Sequence, residues 1–515
     1  RSGRFLYRAS IDLSNVKLDV GRYYELHAQV PRNDGEPFAN HTSLAILPEA
    51  VTRQYKPEEV PFTARNWDNR IREYVRLTDR LGIRICGIWG GWSSKPPYKP
   101  EAPTLDLARE LGMGWLTTTP VKHIERGSTD YTEEALRQGA RNFLETYGDK
   151  RPLIINLGNE PHGTGQCVLN NVAGYRAVYE EVKRFDPTIP VVATSVEPNE
   201  EYFKAGYGKW CDAYDFHIYE MYPNVRRTMD QYRELMKKYN VVKPIWSTEL
   251  GLNSQGMARH EVSTEMIRKF CTFFAAGGTN VSWFGLLYPD PECKLQGTSG
   301  DAHNVFDCRY KRYCPRLDAV TYYHAVGAIA IKTFVEEKLY DDGTRAFLFR
   351  DKEDRSLLVL WKDQGRADVR IPLKGVDQVK VTRIDGGIRM LDAAGDSVLL
   401  SITKDPILIT YKAGPTSLPA ALEPSLAILD SMPTSATKGE AISLNVRAQS
   451  GQQIGLIAPP SWSVKKTVDE NEMHRFTATA PRESSAHQAD FIISIDESNG
   501  RRSGELYYRC PIIAR

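Results

Sequence analysis

The stretch Leu153-Ile154-Ile155-Asn156-Leu157-Gly158-Asn159-Glu160-Pro161 decides the fold. Its aliphatic run reads as a strand buried on both faces, and it ends on a carboxylate. A second stretch repeats the pattern, Lys243-Pro244-Ile245-Trp246-Ser247-Thr248-Glu249-Leu250-Gly251. Working outward from these two, short β-type runs alternate with helical stretches from Val51 to about Thr333, the rhythm of parallel strands and crossover helices. Strands are predicted at 60–65, 83–89, 114–119, 152–159, 190–196, 214–220, 244–250 and 279–286. Amphipathic helices are predicted at 68–81, 132–147, 174–185, 228–239 and 263–276. Eight repeats in this length fit a closed (β/α)8 TIM barrel, whose usual size is about 250 residues.

The flanks have a different texture. Residues 1–50 read as part of an N-terminal β-sandwich, and 51–333 as the barrel. Residues 334–413 read as a β-sandwich packed on the barrel, and the Pro/Ala/Ser-rich 414–424 as a linker. Residues 425–515 alternate as in an immunoglobulin-like sandwich.

Composition narrows the function. The chain is 41% hydrophobic and 26% charged, which argues against disorder and fibrous repeats. Sixty-seven Lys and Arg stand against 65 Asp and Glu, leaving no global field for a polyanion, so no nucleic-acid partner is expected. The apolar runs fall short of the roughly 20 residues of a membrane helix, and no membrane span is expected. Residues 1–7 lack an apolar signal core, so the start is read as trimmed or processed. Of eight cysteines, Cys293, Cys308 and Cys314 crowd one loop. A Cys308–Cys314 or a Cys293–Cys308 disulfide would suit an extracellular or periplasmic protein, and free thiols are the alternative.

In such barrels the reacting groups stand at the carboxyl ends of the strands. Glu160 and Glu249 end the fourth and seventh predicted strands, and a carboxylate there is costly unless it is paired or functional. Residues two apart share a face. Asn156, Gly158 and Glu160 therefore align, as do Ile245, Ser247 and Glu249; Asp215, His217 and Tyr219; and Val281, Trp283 and Gly285. His217, Tyr219 and Trp283 are thus expected on one rim with the two glutamates. Aromatic residues of the rim loops suit a sugar face: Trp89, Trp92, Tyr222 and Tyr288, with Trp92 expected to be exposed by its Gly/Ser neighbours. The strand ends carry no His-x-His cluster, and neither metal nor cofactor is expected. The acidic residues of the 288–315 loop are irregularly spaced and read as solvated rather than calcium-binding.

These motifs resemble the clan A glycoside hydrolases, whose fourth strand ends in Asn-Glu-Pro, as Asn159-Glu160-Pro161 does, and whose seventh ends in a second glutamate, as Thr248-Glu249 does. The layout, a barrel followed by a β domain, is similar to the family 39 neighbourhood. The arginine that several families of the clan carry near the end of the second strand has no counterpart in Gly87-Ile88-Trp89-Gly90-Gly91-Trp92. The resemblance implies a secreted retaining glycoside hydrolase acting on an oligo- or polysaccharide. It makes Glu160 the general acid/base, Glu249 the nucleophile, Asn159 a donor to the sugar 2-hydroxyl, Tyr219 a donor to the nucleophile and Trp283 the floor of a sugar subsite. The chemistry asks for two carboxyl groups about 5–5.5 Å apart. A catalytically silent carbohydrate-binding or scaffold protein on the same barrel is the alternative.

Overall fold

The computed structural model describes residues 12–513 apart from 34, 36–37, 66–70, 89–91, 93–101, 122–131, 162, 196, 289, 291, 310–311, 426, 460, 469–471 and 483–487. Eight parallel strands close into a barrel in chain order: Phe62–Ala64, Ile85–Gly87, Gly114–Thr118, Ile154–Leu157, Val191–Ser195, Ala213–Ile218, Ile245–Leu250 and Gly278–Trp283. They are called the first to the eighth strand below. Each overlaps one of the predicted runs, and the shorter bounds reflect how little of a tilted strand pairs on both sides. Outward-facing side chains such as Phe62, Phe216 and Val281 join the helices in one large buried cluster.

The interior of the barrel is graded. Ile85, Leu116, Ile154, Val192 and Ala213 form a separate apolar plug near the amino-terminal end. One repeat further along the same faces the lining becomes Thr118, Asn156 and Asp215, all buried. An aliphatic base therefore supports a polar crown, and the strands themselves set the depth at which charge begins.

Strand seven is irregular. Asp215 and His217 of strand six face Trp246 and Glu249, and Val281 and Trp283 of strand eight face Ser247 and Leu250. Three steps on strand seven thus oppose two on each neighbour, a bulge that turns consecutive residues inward.

The β-rich remainder departs from a chain of separate sandwiches. Among the described residues before 50 there is one antiparallel hairpin, Tyr23–Val30 with Phe38–Ala45, tied to the later β region by Tyr23 N donating to Asp385 O at 2.8 Å. A six-stranded sheet (333–339, 344–350, 355–362, 407–412, 378–382, 388–392 in spatial order) packs against a sheet that runs 423–424, 367–372, 397–402, 502–513, 488–496, 453–457. The far half of that second sheet packs in turn on a four-stranded sheet of 428–431, 441–447, 473–479 and 463–468. Strands 397–402 and 502–513 pair in parallel, with Leu399 opposite Gly504. A Cβ on Gly504 would stand 2.8 Å from Leu399 Cβ and 2.9 Å from its carbonyl, so only glycine permits this approach.

The expected linker is in fact anchored. Leu418 is buried and its N–H donates to Glu336 at 2.9 Å; Tyr340 donates to Pro419 O at 3.0 Å; Glu423–Pro424 cover the edge of strand 367–372. Proline-rich composition matched a linker, yet an open sheet edge and an apolar slot for Leu418 recruit the segment instead. All eight cysteines are free thiols, so neither expected disulfide is present. Cys314 Sγ accepts from Thr42 at 3.2 Å and Cys308 Sγ lies against Phe306 O, directions that leave each sulfur with a local partner. Among the described residues no helix is long and apolar enough to cross a membrane.

Candidate active site

The polar crown converges on one point. Tyr219, just past strand six, donates from its hydroxyl to Glu249 Oε2 at 2.7 Å. His217 Nδ1 stands 3.0 Å from Glu160 Oε1 and 3.3 Å from Glu249 Oε2. One oxygen of each glutamate and a ring nitrogen of His217 all lie within 4.8 Å of one another. The strand-four loop makes this possible with two residues in left-handed conformation, Gly158 (φ 74) and Glu160 (φ 49). That turn lets the consecutive residues Asn159 and Glu160 both reach the site. For a glutamate the conformation costs about 1 kcal/mol or more, the kind of strain functional positions retain.

The residue that organises the cluster was not among those singled out from sequence. Arg65 follows strand one and is 4% exposed. Its Nη1 contacts Glu249 Oε1 (3.4 Å), His217 Nε2 (3.3 Å) and Thr248 Oγ1 (3.0 Å), while Nη2 donates to Asn159 Oδ1 (2.8 Å) and Thr118 Oγ1 (3.3 Å). An arginine therefore does serve the site, from the first strand rather than the second. An arginine ending an apolar strand was the available signal. Arg65 shares His217 Nε2 with the Thr248 hydroxyl, 3.1 Å from that nitrogen, while His217 Nδ1 faces both glutamates. Arg65 also takes Asn159 by its oxygen, which leaves the side-chain NH2 without a partner among the described residues.

Beneath lies a buried support. Asp215 accepts from Thr248 N (2.7 Å) and Oγ1 (2.6 Å). Burial pushes its carboxyl above the usual range, against the pull of His217 and Thr248. The strand-seven bulge explains why Thr248 and Glu249, consecutive in sequence, both face this network. Burial, then the charge of Glu249, raises the Tyr219 hydroxyl well above its ordinary range, so it remains a donor.

Three expected residues, Trp283, Trp92 and Tyr222, lie elsewhere. Trp283 is 2% exposed and points into the helical layer, against Phe270 and under the Lys269 ammonium. Alternation had grouped Val281 and Trp283 correctly but on the wrong face: Val281 pairs with Phe62, which itself packs on Phe270 and Tyr322. Phe284 takes the inward place, edge-on to Tyr219 at 6.0 Å, with His303 of the 288–315 loop beside both. Burial lowers the His303 imidazole. Trp92 is buried rather than exposed: its ring stacks on Phe143 at 4.3 Å, where helix 133–147 offers a larger apolar contact than solvent. Tyr222 is spent on the barrel–sheet seam, donating to Asp363 and packing on Trp361. Tyr288 is half-buried, its amide held by Asn304, and Trp89 lies outside the described residues. A separate cavity of 1190 Å³ opens at the amino-terminal mouth, lined by Leu153, Ile154 and Trp246, at the opposite end from the glutamates.

Glu160, His217 and Glu249 have donor atoms suited to a metal ion. The fixed charge of Arg65, 3.3–3.4 Å from two of them, opposes a cation there. Turnover is therefore expected to survive exhaustive chelation unchanged. Loss of activity that added zinc or manganese restores would reverse that assignment.

The molecule is thus a TIM barrel with flanking β-sandwich sheets, a fold used by glycoside hydrolases. It is similar in structure to a family 39 glycoside hydrolase from the gut symbiont Bacteroides cellulosilyticus, with TM-score 0.61 and 16% identity over 76% of this chain and 88% of that one. Weaker likenesses include a glucosidase from Croceicoccus marinus (TM-score 0.48, 10% identity, 66% and 91% covered) and an endo-β-1,4-mannanase from Thermotoga petrophila (0.40, 10%, 88% and 98%). No family model and no curated protein matches the sequence.

Proposed function

We propose that this chain is a retaining glycoside hydrolase of the clan A type, acting on an oligo- or polysaccharide outside the cytoplasm. The observation that carries the reading is the approach of the two carboxylates, with oxygens within 4.8 Å. Retaining enzymes hold the groups about 5–5.5 Å apart, whereas inverting ones leave about 6.5–9.5 Å for a water.

In this reading Glu249, held by Tyr219 and Arg65, attacks the anomeric carbon, while Glu160 gives its proton to the departing glycosidic oxygen. The bond to the leaving group breaks as the ester to Glu249 forms. With Glu249 now neutral, the repulsion that kept Glu160 protonated is gone. Glu160 then takes a proton from water, whose oxygen attacks the anomeric carbon and releases Glu249. The free NH2 of Asn159 meets the sugar 2-hydroxyl, and Phe284 replaces Trp283 as the apolar wall beside Tyr219.

Proton NMR of the first-formed product, read before mutarotation, tests the mechanism. Retained configuration is expected; an inverted anomer would overturn double displacement.

A further inference from the structure

The buried face of helix Arg259–Ala275 brings a lysine to the ends of strands six and seven. Lys269 is wholly buried, and its ammonium donates to the carbonyls of Ile218 (3.0 Å), Glu220 (2.8 Å) and Gly251. Three N–H donors meet three carbonyls, so every hydrogen is used. Those carbonyls frame the site: Ile218 and Glu220 bracket Tyr219, and Gly251 follows Glu249 by two residues. The same segments are laced by Gly251 N to Ile218 O (3.0 Å) and Asn253 N to Tyr219 O (2.9 Å). They also touch, since a Cβ on Gly251 would lie 2.5 Å from the Tyr219 ring. An apolar side chain would fill this space without the cost of burying a charge. What only the ammonium supplies is a joint between the two strand ends.

We propose that Lys269 is a positioning residue, an ammonium clamp that keeps the Tyr219 hydroxyl and the Glu249 carboxylate in register. The kinetic consequence rests on the glycosidase reading; the clamp itself does not. The charged groups around it are few. Glu265 stands one turn earlier on the same helix and accepts from Tyr222 N, and Glu220 follows the end of strand six. Strand seven offers backbone only, and strand eight offers the Trp283 ring at 5.9 Å. Arg268 is turned away over Tyr222 and Trp361. Burial brings the ammonium down to about 7, with Glu265 and Glu220 opposing. Above that pH a neutral amine has two hydrogens for three carbonyls. The charged form is the positioning form, so the clamp loosens as pH rises through about 7.

The test is Lys269→Met assayed on aryl glycosides. At pH 6 we expect kcat to fall about 10- to 100-fold, the effect of a small misplacement of a reacting group, with KM little changed. The thermal midpoint should hold, and the alkaline limb of kcat near pH 7 should vanish. Unchanged kcat with the limb intact overturns the proposal. A second measurement uses the unaltered protein labelled with 13Cζ-tyrosine and 13Cε-lysine, with Tyr219 assigned through Tyr219→Phe. The Tyr219 signal should shift with the same midpoint as the lysine signal that titrates near 7. A Tyr219 signal that ignores that midpoint overturns the clamp even if the methionine variant fails to fold. Should no glycoside be cleaved at all, the glycosidase reading fails while this titration still decides the clamp.

Discussion

Glu249→Gln is expected to abolish turnover on every glycoside, a loss on the order of 10⁴- to 10⁶-fold, as when a nucleophile is removed from a concerted set. The amide cannot form the glycosyl ester, and no neighbour replaces it: Tyr219 is a donor whose hydroxyl stays protonated, and Glu160, which shares His217 Nδ1 with Glu249, is the proposed proton donor to the leaving group. Glu160→Ala should fail differently. On substrates with good leaving groups the first step needs no acid, so the covalent intermediate should accumulate, and added azide should accelerate its breakdown. The loss on poor leaving groups should be about 10²- to 10⁴-fold, the usual worth of a general acid/base. Steady-state rates across a leaving-group series, with and without azide, separate the two. Equal loss in both variants with no azide effect would count against the assignment of roles.

A chain cut after residue 414 is expected to give no soluble folded protein, the second large effect. The cut removes strand 502–513 from beside 397–402, takes Leu418 from its slot and leaves an unpaired sheet edge. It also strips helix 259–275 of its partner Arg509, which contacts Asp405 at 2.9 Å, while Asp405 in turn holds His260 at 2.8 Å. Those pairs keep the Asp405 carboxyl at about 2 despite its burial. The Pro-rich composition of 414–424 alone would suggest the opposite, an independent module whose loss spares activity. Expression of the truncated chain followed by circular dichroism and gel filtration decides between them; a monomeric, cooperatively melting fragment would show that the shared sheet is dispensable.

The barrel was readable in the sequence because its signal is repeated: eight apolar runs with helices between them leave few other closed arrangements. Glu160 and Glu249 were readable because a carboxylate ending a buried strand is conspicuous. His217 and Tyr219 followed from alternation and Asn159 from the Asn-Glu-Pro resemblance, and the structure gathers all three around the glutamates. Alternation gives shared faces but not which face is inward, and Trp283 failed on that point. It also assumes regular strands. The extra residue in strand seven brings Thr248 inward beside Glu249, and no local pattern announces it. Arg65 escapes a local reading because the nearest of its side-chain partners lies 53 positions away and they meet only when the barrel closes. Trp92 and the 414–424 segment were judged by small or proline-rich neighbours, a property of composition, whereas Phe143 and a bare sheet edge decided their fate.

The parallel pairing of strands 397–402 and 502–513 also sets an order of events during synthesis. Tyr507 donates to Ser401 across 106 positions. Residues 397–402 therefore leave the ribosome well before their neighbour exists, a wait of roughly 5 to 20 s at ordinary elongation rates of about 5–20 residues per second. All eight barrel strands have been made by then, so the nascent chain passes through a stage with the barrel sequence complete and a sheet edge open to other chains. Long-range parallel pairing is slow to form. Chaperone occupancy of nascent chains should accordingly peak between completion of strand 397–402 and emergence of strand 502–513, not during synthesis of the barrel.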